Sequence, residues 1–234
     1  MEEQSSIFYM KKVKTIFLSA IIVAFSLIGS QSVFAAEELA PLDIKLPIPA
    51  FLGTPTDVPD DEHLEKPTDE PRPQFMAPKG CKNLALNKRV TGSVQKPQNG
   101  SYDLVTNGDK EFNDDSYLEL PRKTQWVQID LEKPSKIYAI VVWHAHNTPH
   151  IYRDVIVQLS NDPEFKEGVK TVYNNDYDNS SGQGIGNDKE YYESHEGRLI
   201  DAKGAEARYL RFYSRGSSYS SMNRYIEIEV WGLE

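Results

Sequence analysis

Cysteine is nearly absent: Cys81 stands alone in 234 residues. The chain therefore closes no internal disulfide and has to be held by its core, with or without a metal. Flanked only by Lys79 and Lys82, that thiol reads as inert. Positive charge is also short, with 26 Lys and Arg against 35 Asp and Glu and a formal net charge of −9. Such a balance repels phosphate backbones and anionic lipid, and no basic cluster offsets it, which excludes nucleic acid as a partner. Catalytic signatures are missing: there is no Gly-x-Ser-x-Gly elbow, no His-Glu-x-x-His and no phosphate loop. Helical periodicity of useful length is lacking too, apart from one turn at 162–166.

What is present divides into three parts. In residues 1–35, Met10-Lys11-Lys12-Val13-Lys14 is a basic start, Ile16 to Ile28 is mostly apolar, and Val33-Phe34-Ala35 offers small residues for cleavage after Ala35. The pattern predicts a signal peptide, and its apolar run is too short for a comfortable membrane span. The competing reading is an uncleaved anchor. Cleavage implies a secreted, periplasmic or cell-surface protein with no membrane insertion in its mature form. Residues 36–80 hold nine of the fourteen prolines and an acidic run from Asp57 to Glu70, so they predict an extended linker or arm. Within it Leu42, Ile44, Leu46 and Ile48 alternate, followed by Phe51 and Leu52. That stripe predicts a tether whose first part lies against the domain or a partner.

Residues 81–234 consist of short apolar runs separated by Gly, Asn, Asp and Pro. Strands are predicted at 84–90, 117–120, 126–131, 137–143, 155–160, 170–173, 198–199, 209–213 and 225–231, with a Pro-containing turn between the third and fourth. In the last, Tyr225, Glu227 and Glu229 oppose Ile226, Ile228 and Val230. Many short strands of this kind predict an all-β fold, a jelly-roll β-sandwich. The segment from Asn174 to Asp188 is long for a hairpin loop, which makes it either functional or mobile. Its Asp176 and Asp178 lack the Gly and Glu positions of an EF-hand, so a polar loop is the preferred reading over a metal site.

Several pieces, in order, resemble the discoidin family, also called coagulation-factor type-C domains. These are Asn83-Leu84-Ala85-Leu86-Asn87-Lys88, Leu104-Val105-Thr106-Asn107-Gly108-Asp109, Trp126-Val127-Gln128-Ile129-Asp130-Leu131, the run from Val155 to Phe165, Arg208-Tyr209-Leu210-Arg211, and Ile226 to Gly232. The resemblance covers essentially all of 83–232 and implies a galactose-binding-like sandwich. Ligand does not follow from fold, since relatives bind sugars, phospholipid heads or proteins. In the sugar-binding branch a structural Ca²⁺ is expected. Carried over, Asn107 would offer its side-chain oxygen, Leu104 and Asp109 carbonyls, Ser116 a hydroxyl or carbonyl, Ile226 a carbonyl and Glu227 a carboxylate. Asn107 stands where the family has Asp, which weakens the site. The plainer reading is an ordinary Asn-Gly turn beside a solvent-facing Glu227.

The sharpest binding candidates follow the strand that ends at Trp143. His144, His146 and His150 are three of the five histidines. The resemblance implies that His144, His146, Asn147, Tyr152 and Arg153 occupy a sugar-gripping loop. Imidazole and guanidinium suit hydroxyl pairs, and an aromatic face suits the C–H side of a pyranose. Glu119, Arg215, Tyr219 and Asn223 fall in segments expected near the same rim. Trp143 reads as core, and zinc at the His-x-His pair is disfavoured without a Cys or a well-placed carboxylate. These features predict a non-catalytic module that binds a glycan or glycoconjugate. The alternative is a cell-envelope interaction module that uses the arm to hold a protein partner.

Overall fold

The computed structural model describes residues 37–51 and 53–234. The signal-peptide features and Leu52 lie outside the described residues.

Two long strands organise the sandwich, β6 (Gln125–His144) and β9 (Arg198–Ser214). They follow β1 (Leu39–Pro41), β2 (Met76–Pro78), β3 (Lys82–Asn83), β4 (Val90–Gly92), a 3-10 helix (Tyr102–Thr106) and β5 (Leu118–Leu120). Between and after them come β7 (Ile156–Ser160), β8 (Lys170–Asn174) and β10 (Asn223–Leu233). In hydrogen-bonded order the main sheet runs β3-β10-β6-β9-β7-β8, with β4 also on β6 and β5 also on β10. The first half of β6 pairs with β4 and with 209–214 of β9. Its second half pairs with β10 and with 198–207 of β9. Both strands therefore cross from one layer to the other, and the core fills the space between the layers. Val127, Ile129, Ile140, Val142, Leu210, Phe212 and Ile228 are all buried there.

The expected turn between two strands is instead an irregularity inside β6. Pairing to β9 breaks between Asp130 and Ser135 and resumes, with Glu132 at φ 73°. Arg208 closes the bend by donating from Nε and Nη2 to the Asp130 carboxylate at 2.7 and 2.9 Å. β10 also departs from simple alternation. A bulge between Tyr225 and Glu227 sends Tyr225 into the main core with Ile228 and Val230, while Ile226 packs with Val141 and Trp143 on the outer face. The turn expected at 162–166 forms no helix.

That outer face is covered by other segments of the chain. Ile44 of the arm packs on it, together with Phe112, Tyr117, Leu199 and Trp231. The arm is docked along much of its length rather than hanging as a tether. β1 pairs with β2, and Leu64 is buried where Glu65 N–H donates to the Glu190 carbonyl at 2.9 Å. Arg198 holds the Glu65 carboxylate through both Nη atoms at 2.8 and 2.6 Å. Arg72 Nη1 donates to the carbonyls of Glu196 and Gly197 at 2.8 and 2.9 Å. The alternating stripe holds only at its start: Leu42 and Ile44 are half-buried, Leu46 and Ile48 are exposed, and Pro47 is buried instead. Lys110 Nζ takes the Lys45 carbonyl and Glu111 takes the Ile48 N–H, and these anchors turn Pro47 inward.

Trp143 is the hub of this outer layer. Its Nε1 donates to the His195 carbonyl at 2.9 Å, and Lys110 Nζ sits 5.0 Å from its ring. Gly197, at φ +64°, lies so close that a Cβ would approach the ring at 2.7 Å. Gly197→Ala is expected to cost about 2 kcal/mol through overpacking and an unfavourable φ. At this chain length that is a fall in Tm of roughly 4–8 °C, to be read by calorimetry; an unchanged Tm would refute the packing.

Candidate functional site

β6 ends in His144, which pairs with Tyr225 of β10 and points the same way as Val142, into the sandwich. Its ring stacks on Tyr152 with centroids 4.2 Å apart and tilts against Tyr225 at 4.8 Å. Nδ1 lies 3.0 Å from Glu193 Oε2, and both side chains are fully buried. His146 is also buried, with Nε2 2.9 Å from the Lys110 carbonyl. The expectation that His144, His146 and Tyr152 grip a ligand at an open rim is therefore corrected. Strand alternation puts His144 inward, and the covered outer layer encloses His146. Asn147 is half-buried with its Oδ1 unpartnered.

Asn223 and Glu119 are likewise structural. Asn223 is buried, its Oδ1 accepting from Ser214 Oγ at 2.8 Å and Gly216 N–H at 2.7 Å. Its Nδ2 donates to the carbonyls of Pro121 and Lys123 at 2.7 and 3.0 Å, which leaves nothing for a ligand. Glu119 Oε2 is taken by Arg224 Nε at 2.5 Å.

The remaining candidates do come together. Arg153 N–H donates to the Gly216 carbonyl at 3.0 Å, and Arg215 N–H returns to the Arg153 carbonyl at 2.9 Å. This reciprocal pair sets the two exposed arginines side by side on neighbouring loops. His150 and Tyr219 stack with centroids 4.7 Å apart and planes 11° from parallel, and Tyr219 is 72% exposed. Burial and the nearby Arg224 charge lower the His150 pKa, which keeps the ring neutral at pH 7.

Two members of this surface were missed from sequence. Tyr177, in the long loop, stacks on His63 of the arm with centroids 4.1 Å apart. An exposed aromatic inside a polar loop was a usable signal for Tyr177. His63 had none, because its place depends on the docked arm. The loop itself is held down rather than loose. Buried Asp176 accepts from the N–H groups of Ser180 and Ser181 at 3.0 and 2.9 Å and from the Ser181 hydroxyl. Ser180 Oγ also reaches Asp154 at 2.6 Å. Carboxylate oxygens of Asp154, Asp176 and Asp178 lie within 4.8 Å of one another. The loop's own donors satisfy Asp176, so it is a structural element of the rim.

The region expected to hold calcium lies elsewhere. Glu227 faces the outer layer and is fully buried, not solvent-facing. Its Oε2 accepts the Gly108 N–H at 3.2 Å, while Oε1 is buried without a partner. Burial, followed by the neighbouring Glu229 and Asp109 charges, pushes its pKa up to about 9. An unpartnered buried acceptor beside a carbonyl-rich turn fits an oxygen-loving cation. Other members fit less well. Asn107 Oδ1 accepts the Asp109 N–H at 2.7 Å, and the Ser116 hydroxyl serves Glu111 and Asn113, so the hydroxyl reading of Ser116 is corrected. Leu104, Asp109 and Ile226 would contribute carbonyls alone.

The class this geometry defines is an antiparallel β-sandwich presenting polar loops at one rim. No protein-family model matches the chain, and no curated protein matches it. Among solved structures, it is similar to a chitosan-binding module from a Paenibacillus chitosanase/glucanase, at 19% identity and TM-score 0.46 over 64% of this chain and 99% of that one. It is also similar to a fucose-binding module of Streptococcus pneumoniae, at 17% identity and TM-score 0.46 over 65% and 99%. A family 89 glycoside hydrolase of Clostridium perfringens matches at 19% identity and TM-score 0.47 over 65% of this chain, which spans 15% of that enzyme.

The raised Glu227 pKa carries a defined pH signature. The folded carboxyl holds its proton up to about pH 9, whereas the unfolded one releases it near the ordinary glutamate value of 4.5. The associated stability is full below that lower value and is lost as pH rises toward the upper one. In chelator, the Tm of the native chain should decline across this window more steeply than that of Glu227→Gln. Parallel curves would show that Glu227 is not the titrating group.

Proposed function

We propose that the protein is an exported, non-catalytic module that binds a glycan at the rim formed by Arg153, Arg215, His150, Tyr219 and Tyr177. The observation that carries this reading is the pairing of two exposed guanidinium groups with exposed, stacked aromatic rings on loops fixed to each other. Guanidinium donors engage vicinal hydroxyls, and the aromatic faces take the C–H side of a pyranose. Because reciprocal backbone bonds preset the loops, little ordering entropy opposes binding. Asn147, half-buried three residues before His150 and with an unpartnered Oδ1, is kept as part of the proposal. Export rests on the basic and apolar pattern before Ala35, and no helix among the described residues is long and apolar enough to cross a membrane.

A structural Ca²⁺ at Glu227 is part of the same proposal. Glu227 Oε1, the Asn107 side chain and the carbonyls of Leu104, Asp109 and Ile226 would hold it. When bound, the ion supplies the positive charge that the buried carboxylate lacks, and so locks the 104–109 turn to β10. Calcium is expected to raise Tm in the native chain and to leave Glu227→Gln unmoved.

The test of binding is a glycan array followed by titration calorimetry, including chitosan oligosaccharides and fucosylated glycans. Arg153→Ala, Arg215→Ala and Tyr219→Ala should each weaken binding by roughly 10-fold or more, as lost hydrogen bonds or stacking imply. Their Tm values should stay within about a degree or two of the native one, since exposed positions contribute little to folding. A clean negative across plant, algal and host glycans, or unaltered affinity in all three variants, would sink the reading.

A further inference from the structure

The docked arm does more than cover the sheet. Between it and the segment 191–199 lies a cavity of about 620 Å³. Its volume falls within the roughly 300–1,000 Å³ typical of small-molecule sites. One wall is the arm, with Phe51, Gly53, Thr54 and Pro55 and the stretch from Glu65 to Pro73; the other includes Tyr191, Glu193 and Arg198. It is distinct from the rim, whose Arg153, Arg215, Tyr177 and Tyr219 do not line it.

Each of those three sandwich residues carries a polar atom that no protein group satisfies: Tyr191 Oη, Glu193 Oε1 and Arg198 Nε. Tyr191 is 5% exposed and Glu193 fully buried. A buried acceptor left without a donor costs about 1–3 kcal/mol, more when charged, and three such residues along one cavity are too many for an inert void. Glu193 is otherwise well used, since Oε2 faces His144 Nδ1 at 3.0 Å and its own N–H donates to the His150 carbonyl at 2.7 Å. Its second oxygen is the one spare acceptor.

The charges around the cavity restrict what fits. Arg198 commits both Nη atoms to Glu65, and Arg72 commits Nη1 to two backbone carbonyls. Among the groups lining the cavity, the carboxylates of Glu65, Asp69, Glu70, Glu193 and Glu196 outnumber the cations of Lys66, Arg72 and Arg198, which disfavours a phosphate or carboxylate. The unsatisfied atoms include an acceptor, a donor and a hydroxyl that serves as either, which is the pattern that adjacent hydroxyl groups complement. Tyr191 and the arm's prolines add apolar faces.

We infer that the cavity is a second binding site, for a small neutral polyhydroxylated molecule of monosaccharide size, walled in by the arm and read by Glu193, Tyr191 and Arg198. It does not depend on the rim binding a glycan. The arm is thereby part of a site, and the Glu65–Arg198 pair is the clasp that holds its wall in place.

The test is a titration of the isotope-labelled full chain with D-galactose, N-acetyl-D-glucosamine and, for contrast, inorganic phosphate, followed by amide NMR. At least one sugar should shift residues 191–199 saturably, and phosphate should not. Thr54→Trp, which places bulk in the cavity from the arm side, should weaken that response at least 10-fold, whereas Arg153→Ala should leave it intact. Thr68→Trp serves as a second occluding variant should the first fail to fold. Sugar-induced shifts confined to the rim would overturn the inference while leaving glycan binding standing. No shift at 191–199 with either sugar, or shifts produced there by phosphate, would overturn it as well.

Discussion

A fully buried carboxylate, Glu193, ties together parts of the chain that would otherwise be independent. Its Oε2 lies within hydrogen-bond distance of both the backbone N–H and Nδ1 of His144, at 3.3 and 3.0 Å. Its backbone N–H holds the His150 carbonyl. The end of β6, the loop that starts the rim and the segment bordering the arm are thus referenced to one residue. Removing a single partner from such a buried pair is costly because the other charge or dipole is stranded. The stacked Tyr152 and the tilted Tyr225 seal the pair from water, which strengthens it and raises the cost of breaking it.

A second consequence concerns the outer face of the sheet. Trp143, Lys110, Glu227 and Glu229 would sit on an exposed surface in a bare sandwich; here the arm and the 109–117 loop cover them. Lys110 Nζ bonds Glu229 Oε1 at 2.5 Å with both side chains almost wholly buried. A polar cluster of this kind is stable only while its cover stays in place, so the arm and the 104–117 region depend on each other. A chain without disulfides gains from that arrangement, because burial of the arm adds apolar and ionic contacts to a core that has no covalent staple.

The rim is built differently. Its arginines and aromatics are exposed, but their backbones are fixed by the Arg153–Gly216 and Arg215–Arg153 hydrogen bonds, and the 174–188 loop is packed by its own Asp176 turn. Polar side chains on rigid loops are a common means of displaying recognition groups on a β scaffold. The same loops show why histidine spacing misled. His144 and His146 have the spacing of one strand face, yet β6 ends at His144, and a period of two does not say which side is wet. The partner that decided it, Glu193, stands 49 residues from His144.

From the sequence alone came the all-β class, the position of most strands along the chain, and Arg153 and Arg215 as candidate binding residues. Alternation and turn residues are local signals, and a strand with one buried face must write them into its residues. Tertiary structure decided the rest. The docking of the arm, the inward turn of His144, the enclosure of His146, the burial of Glu227 and the cavity beside Glu193 all arise from contacts between segments far apart in the chain. Beyond the stripe from Leu42 to Ile48, a proline-rich, acidic stretch has no periodicity to announce where it will lie. Its position was set by contacts to Glu190, Glu196, Gly197 and Arg198, residues that the local pattern cannot name.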